Sequence, residues 1–366
     1  MTKLKAFACG MSVVALMGAA SVANASHFRG AAIVPTVDAS GLMTLTTTSF
    51  WRKTWVDNPG GYNISGGGAS LVGTVSNTVD QSDSRFGVRT EVVQYQLSGA
   101  GTYNISRSSC CRVSGIPNAS GSWTMDSRIV WDGNTANSPI LFDFNAINPE
   151  VQRGVNYSDN LGAVSGSGHT LSYGLHTNTG ISSQATGLSI DSTGTLSIDA
   201  ASTSTYADNG SNLGADMAFS GSISSSDGSM VEFDWLFDGV DATAHNSSPV
   251  VQDIVINALV GDDISTTVLG TDPDGNPLTW DMLSFFGPSA NLNPNFNSAT
   301  QEFTWDTIGS AVGSYVAVIR ASDGSLTDVG TITINLAAAS VPVPGSLALL
   351  GLGLVGLGAV TRRKTK

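Results

Sequence analysis

The densest run of metal-type donors in the chain is Asp272-Pro273-Asp274-Gly275-Asn276. Oxygen side chains alternate there around a glycine that lets the backbone turn back on itself. Such a loop can wrap a hard cation, and Ca²⁺ takes six to eight oxygens at about 2.3–2.6 Å. Asp323 precedes Gly324 in a later turn and could complete the set; Asp253, Asp262 and Asp263 are additional donors whose position the sequence does not give. Calcium is therefore the candidate cofactor, with Asp272, Asp274, Asn276 and Asp323 as candidate ligands. Asp-Pro-Asp-Gly is equally good turn chemistry without any metal, and the sequence leaves both readings open.

Other reactive side chains are sparse. Cys110 and Cys111 are adjacent, so they cannot cross-link distant parts of the chain. A vicinal disulfide between them is one option; pairing between molecules and free thiols are the others. His27 would become an N-terminal copper ligand only if a leader were cut after Ser26, with His169, His176 or His245 as its partner. Glu232 and Asp234 lie two apart and are candidate paired carboxylates for glycoside hydrolysis, but alternation gives Val231, Phe233 and Trp235 to the core and leaves the acids on a solvated face. No nucleophile elbow, zinc-protease helix or phosphate loop occurs. The expectation is a protein that is not an enzyme. Trp51, Trp55, Trp123 and Trp131 could stack on sugars, although tryptophans more often fill cores.

These residues must be positioned by β-strands. Turn signals such as Asp38-Ala39-Ser40-Gly41, Asp191-Ser192-Thr193-Gly194, Asp227-Gly228 and Asp323-Gly324 punctuate short runs of period-two alternation, for example Thr195 to Asp199 and Thr331 to Asn335. Outside the two ends no segment keeps a helical period. The fold class is all-β.

Two stretches repeat one order of anchors. Ser138-Pro139-Ile140 matches Ser248-Pro249-Val250, Gly168-His169-Thr170-Leu171-Ser172-Tyr173 matches Gly275-Asn276-Pro277-Leu278-Thr279-Trp280, and Ser226-Asp227-Gly228-Ser229 matches Ser322-Asp323-Gly324-Ser325. The expected layout is an N-terminal β domain over 26–137, a degenerate sandwich over 138–241 and a second sandwich over 246–337. The second copy, through Thr271 to Trp280, Phe303-Thr304-Trp305 and Gly313 to Gly324, resembles the Ig-like and cadherin-like domains of bacterial surface proteins. That resemblance implies tandem Ig-like or cadherin-like β-sandwiches preceded by a further β domain. It also implies calcium at the Asp272 loop. The first copy has Ser165-Gly166-Ser167-Gly168 in place of the acidic loop, so calcium would belong to the second copy alone.

The two ends are addresses. Lys3 and Lys5, then the apolar run Met11 to Ala20, then Ala23-Asn24-Ala25 make a secretory signal over 1–25, cut between Ala25 and Ser26. At the other end, 338–366, Pro342 and Pro344 precede the apolar run Leu347 to Val360 and the basic cluster Arg362-Arg363-Lys364. About 14–17 apolar residues lie near the lower limit for a transmembrane helix, and the terminal charge keeps its end cytoplasmic. The tail resembles the PEP-CTERM signal of Gram-negative bacteria, with Val343 where that pattern has Glu. The resemblance implies an exosortase-type processing enzyme as partner, transient anchoring in the inner membrane, and delivery to the cell surface or extracellular matrix. It further implies exopolysaccharide or other matrix components as partners, in a structural or adhesive biofilm role. The alternatives are a carbohydrate-binding module and, behind it, a secreted polysaccharide-active enzyme. The two ends hold six of the 16 basic residues and none of the 29 acidic ones, so the body keeps ten basic residues and a net charge near −19. Such a surface repels nucleic acid.

Overall fold

A computed structural model describes residues 27–339 apart from 54, 82–85, 114, 143–146, 208–215, 242–245, 289–292 and 325. Ala25, Ser26, His245, Pro342, Pro344, Arg362 and Arg363 lie outside the described residues, as does the apolar run Leu347 to Val360. Among the described residues no helix is long and apolar enough to cross a membrane. The described chain is all-β, with one short helix, α1 (Ala200–Thr203).

The first region holds β1 (Phe28–Val37), β2 (Leu42–Arg52), β3 (Asn63–Ser65), β4 (Ala69–Asp80), β5 (Phe86–Leu97), β6 (Gly101–Ser109) and β7 (Trp123–Trp131). Alternation is cleanest in β7, where Trp123, Met125, Ser127, Ile129 and Trp131 are buried and the residues between them are not. Hydrogen bonding gives two half-sheets, β4-β5-β2-β1 and β3-β6-β7. They enclose a core of Phe28, Leu45, Trp51, Tyr103, Trp123 and Trp131 with their neighbours.

The second region holds β8 (Glu150–Gln152), β9 (Tyr157–Asn160), β10 (Leu171–Leu175), β11 (Ser189–Ile190), β12 (Thr195–Ile198), β13 (Met217–Ser225) and β14 (Met230–Val240). The third holds β15 (Val250–Val251), β16 (Ile254–Leu259), β17 (Asp263–Thr267), β18 (Gly270–Thr271), β19 (Thr279–Phe286), β20 (Asn295–Asn297), β21 (Glu302–Asp306), β22 (Gly313–Ser322) and β23 (Thr327–Ala337). The two regions follow one plan. One sheet of each runs β10-β13-β14 and β19-β22-β23, with a parallel strand on the far edge, β8 beside β14 and β16 beside β23. The facing sheets are β11-β12-β9 and β20-β21-β17. The Leu141–Val164 bridge stands where β15 pairs with β18. The repeated anchors fall at matching points, at the start of β10 and β19 and in the β13–β14 and β22–β23 hairpins.

The boundary expected between 137 and 138 separates two cores but not two sheets. One edge of β14 pairs with β7 at Met230–Val231, with β1 at Phe233–Asp234 and with β8 from Asp238. Ala32, Phe50 and Phe86 of the first region sit in the core built by Phe219, Phe233, Trp235 and Phe237. The first sandwich is thus fused to the N-terminal domain through its last strand. No short-range sequence signal records that pairing, because β1 and β14 lie some 200 residues apart.

The face of β14 that carries Glu232, Asp234 and Leu236 is a correction to the solvated face expected. Asp234 and Leu236 are fully buried. The connection between β6 and β7 covers them, held to residues 178–183 by the Ala119–Ile181 bridge. Asn118 completes the cover: its amide donates to Ala218 O (2.7 Å) and accepts from Ala218 N (2.8 Å). Asp234 then has a specific partner, Arg112, which reaches both carboxylate oxygens, Nη1 to Oδ1 at 2.9 Å and Nη2 to Oδ2. A second buried pair, Arg29 Nη2 to Asp238 Oδ2 at 2.6 Å, ties β1 to β14. Gly30 lies between these pairs. A Cβ there would fall 2.1 Å from Asp234 O, so only glycine lets the two strands approach.

Candidate functional site

The Asp272 loop folds as a hydrogen-bonded turn. Asp272 Oδ1 accepts the backbone N–H groups of Asp274 and Asn276, both at 2.9 Å, and Gly275 follows at φ +78° with its N–H on Asp272 O (3.1 Å). Two other loops repeat this arrangement. Asp38 Oδ1 accepts from Ser40 N and Leu42 N (2.8 and 2.9 Å) with Gly41 at φ +82°. Asp191 Oδ1 accepts from Thr193 N and Thr195 N (2.8 and 2.9 Å) with Gly194 at φ +84°. An aspartate followed three residues later by glycine closes the same turn each time, so turn chemistry alone accounts for the loop's shape.

Three of the four candidate ligands, Asp274, Asn276 and Asp323, hold the linker between the sandwiches. Asp274 Oδ2 accepts from Ser247 N (2.6 Å), Asn276 Nδ2 donates to Asn246 Oδ1 (2.9 Å) and Asn246 Nδ2 donates to Asp323 Oδ2 (2.7 Å). Asp323 Oδ1 also accepts from Leu326 N at 2.7 Å. One feature favours a cation: Asp272 Oδ2 is buried with no hydrogen-bond partner. The rest of the set points the other way. The other carboxylates are engaged by N–H donors, and among the described residues no group of three or more His, Cys, Asp or Glu side chains is placed to hold a metal. As folded, the set does not fit a sphere of six to eight oxygens. It clamps the linker to the second sandwich.

The linker is held on its other side as well. Asn148 Nδ2 donates to Asn246 O (2.6 Å), and the backbone N–H of Asn148 donates to Asp159 Oδ2 (2.6 Å). Asp159 lines a cleft of about 380 Å³ between the sandwiches, with Asn148, Tyr157, Pro249, Pro273 and Asp328. Desolvation in the cleft pushes the Asp159 carboxyl up to about 7, against the pull of the N–H groups of Asn148 and Asn160; the Asp328 carboxylate across the cleft adds to the rise. Burial likewise raises Asp328, whose Oδ2 accepts from Val251 N at 2.7 Å. Neither aspartate carries a local signal, because each sits in an ordinary strand with no motif around it.

A second constellation lies on the N-terminal domain. The His27 ring stacks on Trp55 with centroids 5.0 Å apart, and Trp55 remains 61% exposed. The loop bearing Trp55 is pinned from several directions: Arg89 Nε donates to Asp57 O (2.8 Å), Gln81 Nε2 to Lys53 O (2.8 Å), and Arg107 Nη2 to Gly60 O and to Asn58 Oδ1 (3.3 Å). Arg107 is itself buried against Glu91 at 2.7 Å. Beside this platform Cys110 and Cys111 are joined by a disulfide, and Cys111 O accepts from the N–H groups of His27 and Phe28 (3.1 and 3.2 Å). Partial burial and the nearby Arg52 charge lower the His27 pKa, while Asp57 opposes them. A rigidly held indole with an open face can stack on the C–H face of a sugar ring, with Arg52 and Asp57 close by as polar groups.

The remaining expected residues scatter. Trp51, Trp123 and Trp131 are buried in the first core. His169 Nε2 lies 3.6 Å from Asp227, and His176 Nε2 lies 3.1 Å from Glu232, whose hydrogen bond raises the imidazole pKa.

The PEP-CTERM protein-sorting motif matches residues 340–364. The chain is therefore an exported protein with a C-terminal membrane-anchoring sorting signal of the kind processed by exosortase, and its body belongs to the envelope or the exterior. No curated protein matches the sequence. Among solved structures, the tandem Ig repeats of Dlar align at 12% identity over 55% of this chain and 99% of that one, with a TM-score of 0.24. Drosophila N-cadherin EC1-3 aligns at 12% identity over 78% and 92%, with a TM-score of 0.23. An endo-fucoidan hydrolase of glycoside hydrolase family 107 aligns at 14% identity over 84% of this chain and 43% of that one, with a TM-score of 0.22. Similarities this slight carry nothing about activity.

Proposed function

We propose that this is a non-enzymatic structural or adhesion protein of the cell surface or extracellular matrix, associated with exopolysaccharide and biofilm. The observation that carries this reading is the sorting motif at 340–364 behind a series of joined β domains. In this reading the tail holds the chain in the inner membrane of a Gram-negative cell until an exosortase-type enzyme removes it. The two sandwiches and the clamped linker then act as a spacer that presents the N-terminal domain. Intact mass of protein recovered from the native cell surface tests the first half. A chain starting at Ser26 and ending near the Pro342-Val343-Pro344 motif is expected; a retained tail would make it a permanently anchored protein. Deleting the gene should reduce matrix retention or attachment, and unchanged attachment would count against the adhesive role.

The exposed Trp55 on its pinned loop favours a second reading, a carbohydrate-binding module in the N-terminal domain. Affinity electrophoresis in gels containing the native exopolysaccharide separates the two. Retardation abolished by Trp55→Ala supports sugar binding, and unretarded migration of the wild-type chain removes it.

A further inference from the structure

The longest open strand edge among the described residues belongs to β4. It pairs with β5 from Ala69–Leu97 to Asp80–Val88 and has no strand on its other side. Every other strand at a described edge is shorter, the next being the eight residues of β19. An open edge leaves a row of backbone N–H and C=O groups that fit only another strand. Proteins usually guard such edges with Lys, Pro, inward charges or a covering loop. The sequence of β4, Ala-Ser-Leu-Val-Gly-Thr-Val-Ser-Asn-Thr-Val-Asp, contains no Lys, Arg, Glu or Pro. It also exposes Leu71 (64%), Val72 (59%), Val75 (61%) and Val79 (47%).

Among the described residues, β-bulges guard half of the edge. Register shifts between Leu71 and Gly73 and between Thr74 and Ser76 insert Val72 and Val75 as extra residues. Bulges twist a strand and spoil further pairing nearby. From Ser76 to Asp80 the register runs unbroken against Val92 to Val88. We propose that this stretch pairs antiparallel with the same stretch of a second copy, about a two-fold axis at Thr78.

The stretch is self-complementary about that axis. The chain carries a formal net charge of −13, so two copies repel over most of their surfaces. On β4 the single charged residue is Asp80. Pairing about Thr78 sets Asp80 opposite the neutral Ser76 of the partner and Val79 opposite Asn77, with Thr78 opposite itself. No like charges then face each other, and Thr–Thr pairs are favourable across strands. An interface that repeats one patch on both copies closes after two. This inference rests on strand chemistry and is independent of what the protein binds.

Sedimentation of the full exported body, without signal and tail, tests it. A concentration-dependent monomer–dimer equilibrium is expected. Val79→Lys should raise the dimer dissociation constant about tenfold or more by placing charge at the pairing edge. Thr78→Arg should abolish the dimer by setting like charges face to face at the axis. Circular dichroism and the melting temperature should stay at wild-type values, since both residues are exposed on the edge strand. Thr78→Cys should give a disulfide-linked dimer on mild oxidation. A wild-type monomer throughout, a dimer unaffected by both edge substitutions, or open-ended assembly in place of a dimer would each overturn the proposal.

Discussion

Asp234→Asn probes the joint between the N-terminal domain and the first sandwich. Asp234 and Arg112 are both fully buried and bonded through two oxygens. The substitution keeps the side chain's size but leaves the Arg112 guanidinium charged and out of water. Its remaining partners are Thr179 O at 2.9 Å and Asn178 Oδ1 at 3.4 Å. Losing an ordinary hydrogen bond costs about 1 kcal/mol, whereas stranding one member of a buried ion pair costs about 3–5 kcal/mol. The larger figure should hold, because neither side chain has any surface open to solvent. With a urea slope of about 2 kcal/mol per molar, the midpoint of the transition involving β14 falls by roughly 2 M. Tryptophan fluorescence follows it, since Trp235 and Trp123 flank the joint. The double variant Arg112→Met with Asp234→Leu removes both charges and should recover most of the loss. A single variant within about 1 kcal/mol of wild type, or a double variant no better than the single, would refute the view that this pair is a desolvated charge couple.

Other consequences are direct. Gly30→Ala drives a methyl into Asp234 O and Trp235, so it should destabilise by about 1–3 kcal/mol, read in the same urea titration. The raised Asp159 pKa has a definite sign. Its contribution to stability is full below about 3.8, its ordinary value, and is lost as pH rises through about 7. Thermal melts should therefore show the protein less stable at pH 8 than at pH 6, and Asp159→Asn should flatten that difference. Calcium at millimolar concentration should leave the melting temperature of the second sandwich unchanged. A cation bound at 100-fold its dissociation constant would add about 2.7 kcal/mol, so a rise of several degrees would show that the Asp272 loop rearranges around a metal. Trp55→Ala should leave stability within about 0.5 kcal/mol of wild type, because its ring lies outside the core, and a large loss on urea titration would show that the platform is structural.

Some of this molecule is legible in the chain because it is local. Alternation and Asx-Gly turns announce an all-β fold, and the Asp38, Asp191 and Asp272 loops share one spacing and one geometry. The repeated anchors announce two sandwiches of one plan. The tail is read without any fold, because a sorting motif is recognised as sequence. Other features exist only in three dimensions. Asp234 sits in a strand whose alternation sends it away from the core, and only the strap through Asn118 turns that face inward. Arg112 and Asp234 are 122 residues apart, and no local period can register such a partner. The same holds for Asp159 and Asp328, which meet because two domains stack across a short linker. The tertiary structure also decided the fate of four tryptophans of one composition class: three complete a core, and Trp55 alone is lifted from it by a loop that distant arginines hold. Local chemistry fixes strands and turns because its energies act over a few residues; burial and charge pairing depend on what the fold brings alongside.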